Sequence, residues 1–345
     1  MPLSVCIPTY HGLDLIDETL ATILAQNYRD FEVVICNDSP DDHNAMSAKM
    51  ASYGDPRLRF FTNEVNLGYP GNIRRCMELA THDILFLMGQ DDLLLGDDLF
   101  TRIMEVLASH PEIGCIARPY YWFESDPHKP VRVEPKHPTR VIDIRTDPNE
   151  FLAVFRTSSQ LSALVYRRHL ITAPVHDHVF TAHVYPFLSI LKTHSCYFWP
   201  EFNLAVRTVS SQCRSVSGIY HPAPTRTWAE LFRTLFSEPE FAEVRRMGLQ
   251  IMSRNFVGLV QIRNYGYMRD YFADAWWLVK LRPWNLFDPR FWAFFIGCAC
   301  TPRFLLRRLS DGYKRHFLGS RLRHILDGAP DVAGHGRPQA AQTER

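Results

Sequence analysis

Apolar residues come in short blocks through the first third of the chain, and the blocks are of two alternating kinds. "LSVCI" (residues 3–7), "FEVVIC" (31–36), "RLRFF" (57–61), "ILFLM" (84–88) and "IGCIA" (113–117) have the length and apolar character of buried strands. Between them the apolar positions recur at helical spacing. "LIDETLATILAQN" puts Leu15, Ile16, Leu20, Ile23 and Leu24 on one face. "PGNIRRCMELATHD" opens on Pro70, which suits a first helical turn, and "DDLFTRIMEVLASHP" runs from Asp97-Asp98, placed to cap, to Pro111. Strands alternating with helices predict an α/β fold with a mostly parallel sheet covered on both faces. Ligands of such sheets bind beyond the C-terminal ends of the strands. That rule selects three loops, residues 9–12, 37–42 and 89–92; all are polar and two are acidic.

Past residue 120 the pattern changes. "YYWFES", "VRVEP" and "RVIDI" read as short antiparallel strands, "DPNEFLAVF" as helix, and "SSQLSALVYRR" as a polar start leading into a strand. The expected organisation is one domain over residues 1–222, with halves 1–120 and 121–222. A helical, aromatic and basic region follows over 223–323, then a tail, 324–345, expected to be disordered because it lacks apolar periodicity.

The chain is 46% hydrophobic and 22% charged, which places it among globular rather than disordered proteins. A formal net charge of +1 provides no overall attraction to nucleic acid. The eight cysteines show neither C-x-x-C nor zinc spacing. Cys6, Cys36 and Cys115 fall inside strand-like runs and read as core residues of a reducing compartment. The start, "MPLSVCIPTY", has no signal-peptide pattern, so a cytoplasmic location is expected.

Three Asp-Asp pairs compete for a chemical role. Asp41-Asp42 sits in turn-rich sequence, and Asp97-Asp98 starts a helix, where carboxylates complement the dipole. Asp91-Asp92 follows a buried strand by two residues, at a predicted ligand-binding edge. Its oxygens suit Mg²⁺ or Mn²⁺, which bind through one or two carboxylates and take other ligands from phosphates and water. Asp38 has two readings of equal weight: a hydrogen-bond acceptor for a base or ribose, or part of an Asx-turn in "NDSP".

"SVCIPTYHGLDLIDETLATILAQNYRDFEVVICNDSPDD" and, further on, "NLGYPGNIRRCMELATHDILFLMGQDD" together resemble family-2 glycosyltransferases, whose nucleotide-sugar-binding fold is GT-A. The resemblance is good over residues 1–120 and weak to about 215. It implies that Thr9 and Tyr10 line the base pocket, that Asp38 reads a pyrimidine ring, and that Asn66 and Asn72 lie near the nucleotide. It also implies that Asp91 and Asp92 contact the ribose and the metal-bridged diphosphate of a nucleoside-diphosphate sugar. Arg207, in "AVRTVSSQ", resembles the family's late basic turn and would hold diphosphate or acceptor.

The chain departs from the family in three places. Asn37 replaces a frequent aspartate, though the second acid, Asp38, remains. Gly89 or Gln90 stands where many members carry the first acid of the metal motif. Ala182-His183 stands where the catalytic acid pair of inverting members falls, which leaves His183 as candidate base and Asp177 as its rival. The bland reading of His183 is a residue that caps or packs against the following helix.

The stretch "WWLVKLRPWNLFDPRFWAFFIGCACTPRFLLRRLSDGYKRHFLG" combines Trp276, Trp277, Trp284 and Trp292 with Lys280, Arg282, Arg303, Arg307, Arg308, Lys314 and Arg315. Its longest uncharged run, residues 291–301, is about half the ~20 residues of a spanning helix. The pattern fits attachment in the plane of a membrane; the alternative is that the tryptophans pack inward and the arginines are solvated. The combined expectation is a metal-dependent, inverting transferase of sugar from a nucleoside diphosphate to a lipid-linked glycan of a bacterial surface polysaccharide. It would work peripherally on the inner face of the cytoplasmic membrane, without nucleic acid. The competing expectation is a degenerate, non-catalytic relative that binds or scaffolds within an assembly complex.

Overall fold

The computed structural model describes residues 1–134, 136–138, 140–208, 214, 216–313 and 330–334. The first half alternates as its periodicity requires: β1 (Leu3–Thr9), α1 (Ile16–Leu24), β2 (Phe31–Asn37), α2 (His43–Ser52), β3 (Leu58–Thr62), α3 (Gly68–Leu79), β4 (Ile84–Leu87), β5 (Leu93–Leu94), α4 (Leu99–Ser109) and β6 (Ile113–Ala117). The second half adds β7 (Tyr121–Phe123), β8 (Arg132–Val133), β9 (Val141–Ile142), α5 (Phe151–Ser158), β10 (Leu164–Arg167), α6 (Val184–Ile190), β11 (Ser195–Phe198) and β12 (Leu204–Arg207).

Among the described residues the main sheet runs β3-β2-β1-β4-β10-β6-β11-β9, and a smaller one runs β5-β12-β7-β8. The β3-β2-β1-β4 part is parallel, with Leu3 beside both Phe31 and Ile84. β10 then enters antiparallel to both β4 and β6, and β9 closes the edge antiparallel to β11. The expected mostly parallel sheet is therefore a mixed one. β10 reaches the gap between β4 and β6 from α5, not through the crossover helix that keeps successive strands parallel. The three strands expected after residue 120 also divide. β7 and β8 pair antiparallel in the small sheet, β9 joins the main one, and β7 lies parallel to β12.

Cys6, Cys36 and Cys115 are buried, as their strand positions demand. Asp98 occupies the N-cap position of α4 but makes no capping hydrogen bond; its carboxylate faces Arg102 instead, at 3.9 Å.

The helical region consists of α7 (Pro224–Leu235), α8 (Ala242–Ser253), α9 (Val257–Tyr265), α10 (Met268–Leu281), α11 (Pro289–Cys300) and α12 (Arg303–Tyr313). Its first two helices share the main core: Phe232 packs on Phe151 and Phe155 of α5. A second core holds Ile219, Tyr220, Leu259, Ile262, Tyr271, Leu278 and Phe291. Arg303 and Arg307 of α12 donate to the carbonyls of Gly266 and Asn264, so two of the expected surface cations tie helices together. No helix among the described residues is long and apolar enough to cross a membrane.

Within the expected tail, residues 330–334 are described and pack against β5. Val332 bridges antiparallel to Leu95, the Gly96 N–H donates to the Asp331 carbonyl at 2.7 Å, and Val332 is buried with Leu93, Leu95 and Phe123. The open edge of β5 gains a partner in this way. Residues 314–329 and 335–345, Lys314 and Arg315 among them, lie outside the described residues.

Candidate functional site

The site is built where β1, β2 and β4 end side by side. Thr9 pairs with Asn37 in the sheet register, and the Met88 N–H donates to the Cys6 carbonyl at 3.0 Å. Asn72, buried on α3, staples two of these ends. Its amide donates to the carbonyls of Thr9 (3.1 Å) and Cys36 (2.9 Å) and accepts from Asn63 (3.0 Å). Thr9 is equally internal, donating its hydroxyl to the Cys36 carbonyl at 3.2 Å. Both side chains are thus turned into the strand ends, Thr9 where the resemblance implies a lining of the base pocket and Asn72 where it implies a place near the nucleotide.

Two residues share the roles left open for "NDSP". Asn37 closes the turn, accepting from the Ser39 N–H at 3.2 Å and donating to Asp42 at 2.8 Å. Asp38 is not consumed by that turn. It is buried, and its Oδ1 accepts from Asn63 (2.8 Å) and from the Leu67 N–H (2.8 Å), so its orientation is fixed. Tyr10 is exposed at the mouth. Its backbone N–H and carbonyl are both held by the Gln90 amide, at 2.8 and 3.0 Å. His11 takes a positive φ of 47°, a strained choice for a non-glycine, with its N–H on the Ser39 hydroxyl at 2.8 Å. Asn66 is exposed and accepts from the Gly68 N–H at 2.8 Å.

The two acids of the third loop differ completely. Asp92 is buried, and both its oxygens are taken. Oδ2 accepts from the Ser162 hydroxyl and from Gln160 at 2.9 Å, and Oδ1 accepts from the Arg207 N–H at 3.0 Å. Burial and the adjacent Asp91 charge push its pKa up to about 7, against the pull of those hydrogen bonds. Asp91 is half-buried at the rim. Gly89 explains the departure at the first acid position: a Cβ there would stand 2.8 Å from the Asp92 carboxylate, so an aspartate cannot enter while Ser162 holds Asp92 in place. Arg207 does not reach outward. Its Nε donates to the Asp91 carbonyl at 3.3 Å, its guanidinium pairs with Glu18, and it lies over Phe123 at 4.8 Å.

Beneath this loop Arg118 is fully buried, 4.3 Å over the Phe86 ring, donating to the Ser162 carbonyl and to Asn203 at 3.2 Å. Burial lowers its pKa to about 9, with the Asp92 charge opposing, so it remains a cation at neutral pH. Gln90, Arg118, Gln160 and Ser162 were missed in sequence. "SSQLS" is visibly polar ahead of a strand, but its target lies about seventy residues away.

The candidate bases lie apart from each other. His183 is 4% exposed at the start of α6, with Nδ1 3.2 Å from the Tyr69 hydroxyl and the two rings edge to face. It makes no capping hydrogen bond. Its Nε2 is buried without a hydrogen-bond partner among the described residues, and burial pushes its pKa down to about 4 against the weaker pull of the Ser158 and Ser159 backbone. Asp177 is 89% exposed and paired with Arg74 at 2.7 Å.

A cation at Asp91 fits the donor set. Among the described residues no three His, Cys, Asp or Glu side chains converge on a metal position. A carboxylate supplying a single ligand beside a diphosphate is nevertheless how Mg²⁺ and Mn²⁺ are commonly held, and added positive charge would relieve the two adjacent acids.

Residues 4–165 match the model of glycosyl transferase family 2. An uncharacterised protein of Mycobacterium tuberculosis is 41% identical over 96 residues, covering 27% of this chain and 29% of that protein. A UDP-Glc:α-D-GlcNAc-diphosphoundecaprenol β-1,3-glucosyltransferase of Escherichia coli is 23% identical over 108 residues, 31% of this chain and 42% of that protein. The chain spans less than half the length of either relative. Among solved structures, S. aureus TarS in complex with UDP-GlcNAc superposes with a TM-score of 0.53 at 13% identity, over 94% of this chain and 90% of that one. The mannosyltransferase PcManGT from Pyrobaculum calidifontis, in complex with GDP-Man and Mn²⁺, gives 0.53 at 15% identity, over 86% and 85%. At such identities the likeness is one of fold.

Proposed function

We infer, from the premise that residues 4–165 are a glycosyl transferase family 2 domain, that this chain transfers a sugar from a nucleoside diphosphate to a hydroxyl of a lipid-linked glycan, in bacterial surface-polysaccharide synthesis. The observation that carries the reading is the meeting of Asp38, Tyr10 and Asp91 at three adjoining strand ends, held by Asn63, Gln90 and Arg207 respectively. Asp38, fixed by Asn63 and Leu67, accepts from the base or ribose, and the exposed Tyr10 ring covers the base. Asp91 would hold Mg²⁺ or Mn²⁺, which when bound neutralises charge developing on the leaving diphosphate. Asp92 and Arg207 act through Asp91, keeping its loop against α1 and β12. His183, held neutral by burial and with its Nδ1 3.2 Å from the Tyr69 hydroxyl, takes the acceptor proton. Attack by that hydroxyl opposite the diphosphate inverts the anomeric carbon. The E. coli relative acts on a diphosphoundecaprenol acceptor and the P. calidifontis neighbour holds Mn²⁺, and both favour the lipid-linked acceptor and the metal for this chain.

A panel of UDP- and GDP-sugars, followed by slow donor hydrolysis with Mn²⁺, tests the assignment. One donor should bind with a micromolar Kd and hydrolyse; binding with no hydrolysis or transfer would instead favour the non-catalytic relative.

The helical region supports a peripheral membrane location. Trp284 is 70% and Phe287 77% exposed. The apolar surface is continuous: Phe272 meets Phe295 at 6.1 Å, Phe295 meets Trp292 at 5.9 Å, and Trp292 donates to the Leu286 carbonyl at 2.8 Å. Arg269 and Lys280 stand on α10 with Phe272, and Arg308 on α12, each able to contribute roughly 1 kcal/mol at an anionic surface. The purified chain is expected to float with anionic vesicles and less with neutral ones, and Trp276→Ser/Trp284→Ser should reduce flotation about tenfold. Equal flotation of the variant would remove the membrane from the proposal.

A further inference from the structure

A second cavity, of about 210 Å³, lies away from the strand ends, between α5 and the chain that follows β8. Glu134, Lys136, His137, Asn149, Leu152 and Arg156 line it. It is smaller than the roughly 300–1,000 Å³ typical of whole-ligand sites, so it suits one substituent of a larger molecule.

Its charge is unbalanced. His137 is answered by Glu150 at 2.9 Å, and Arg132, over the Trp122 ring at 4.2 Å, stands 4.0 Å from Glu134. Lys136 lies over the Phe202 ring at 4.9 Å, and neither it nor Arg156 has a carboxylate within ion-pair distance among the described residues. Glu134, the one acid lining the cavity, is buried; burial raises its pKa, and Arg132 and Arg156 oppose that. Two cations at a small cavity, one a planar guanidinium and the other a mobile ammonium, match phosphate or carboxylate oxygens.

Two short links connect the cavity wall to the segment that holds Asp92. The Glu134 N–H donates to the Tyr120 carbonyl at 2.8 Å, and the Tyr120 hydroxyl is 3.5 Å from that of Ser159. Ser159 precedes Gln160, whose amide holds Asp92.

We propose that the cavity beside Lys136 and Arg156 binds an anionic group of the acceptor, a phosphate or a sugar carboxylate, and so selects charged glycans for transfer. This rests on the glycosyltransferase reading for the word acceptor, but the anion site itself does not depend on it. Contact with both cations makes the affinity fall as ionic strength rises.

The test titrates the full chain with inorganic pyrophosphate and, separately, with glucuronate. Metal-free buffer keeps pyrophosphate from being drawn to Asp91. At least one anion should bind, and Lys136→Gln/Arg156→Gln should weaken it roughly tenfold or more. Lys136→Arg/Arg156→Lys, which keeps both charges, should retain most of the affinity, and an unchanged Tm shows that the variants are folded. Pyrophosphate alone indicates a phosphate-bearing acceptor, glucuronate alone a uronic acid, and both a general anion site; each supports the proposal. No binding of either anion, or equal binding by the neutralised variant, overturns it. Nucleotide-sugar binding by the same wild-type sample separates the two readings. Donor binding without anion binding sinks only this proposal, and anion binding without any donor sinks only the glycosyltransferase assignment.

Discussion

Asp91→Asn is expected to lower donor turnover roughly 10²–10³-fold, the usual cost of removing one group that meets charge developing in the transition state. The fold should be little affected, because Asp91 is at the rim and its carbonyl, which Arg207 contacts, survives the substitution. The neighbouring Asp92→Ala should behave differently. It leaves the Ser162 hydroxyl, the Gln160 amide and the Arg207 N–H without their acceptor inside a buried pocket. Losing hydrogen bonds to a buried carboxylate costs about 2–4 kcal/mol, so Tm should fall along with turnover. Removing divalent metal should mimic Asp91→Asn and not Asp92→Ala. Thermal melts and donor hydrolysis, measured side by side, check the pair. Equal losses of stability in both variants would mean that Asp91 is structural too, and the metal assignment would fail.

His183→Ala is the second large effect. As the proton acceptor it should contribute about 10²–10⁴ in transfer rate, with donor binding retained, whereas Asp177→Ala, which breaks only an exposed pair with Arg74, should change the rate little. Tyr69→Phe removes the hydroxyl that orients the ring and should give a smaller loss. The pH profile provides an independent reading. The active form is neutral imidazole, and burial lowers its pKa to about 4 from 6.5. The acid limb due to this group should therefore lie near pH 4, with no inflection at 6.5. Stability follows the same shift. Between those pH values the unfolded chain binds a proton that the folded chain refuses, so this contribution is complete above pH 6.5 and is lost as pH falls through 4. If His183→Ala lowers Tm but not kcat, the residue only packs α6 against Tyr69.

The departures from the family pattern look different once the side chains are placed. Gly89 is not simply a missing acid. It leaves room for an Asp92 turned inward onto Ser162, while Asp91 beside it stays half-buried. The absence of an acid before α6 leaves a histidine whose environment favours the neutral form, the protonation state that a base requires.

The sequence by itself determined the strand–helix alternation, the three loops at the strand ends, and the location of Asp38 and Asp91 in two of them. Those features are local: hydrophobic period, turn residues and capping positions act over a few residues and can be read along the chain. Which carboxylate is buried, and which polar residues turn into the strand ends, was decided only by tertiary structure. Asp92 became internal because Gln160, Ser162 and Arg207 arrive from segments far along the chain. Thr9 and Asn72 turned inward because the carbonyls at the ends of β1 and β2 needed donors. β10 made the sheet mixed, and residues 330–334 found the edge of β5, for the same reason: an unpaired strand edge is satisfied by whatever segment the fold brings to it, and sequence spacing does not encode that meeting.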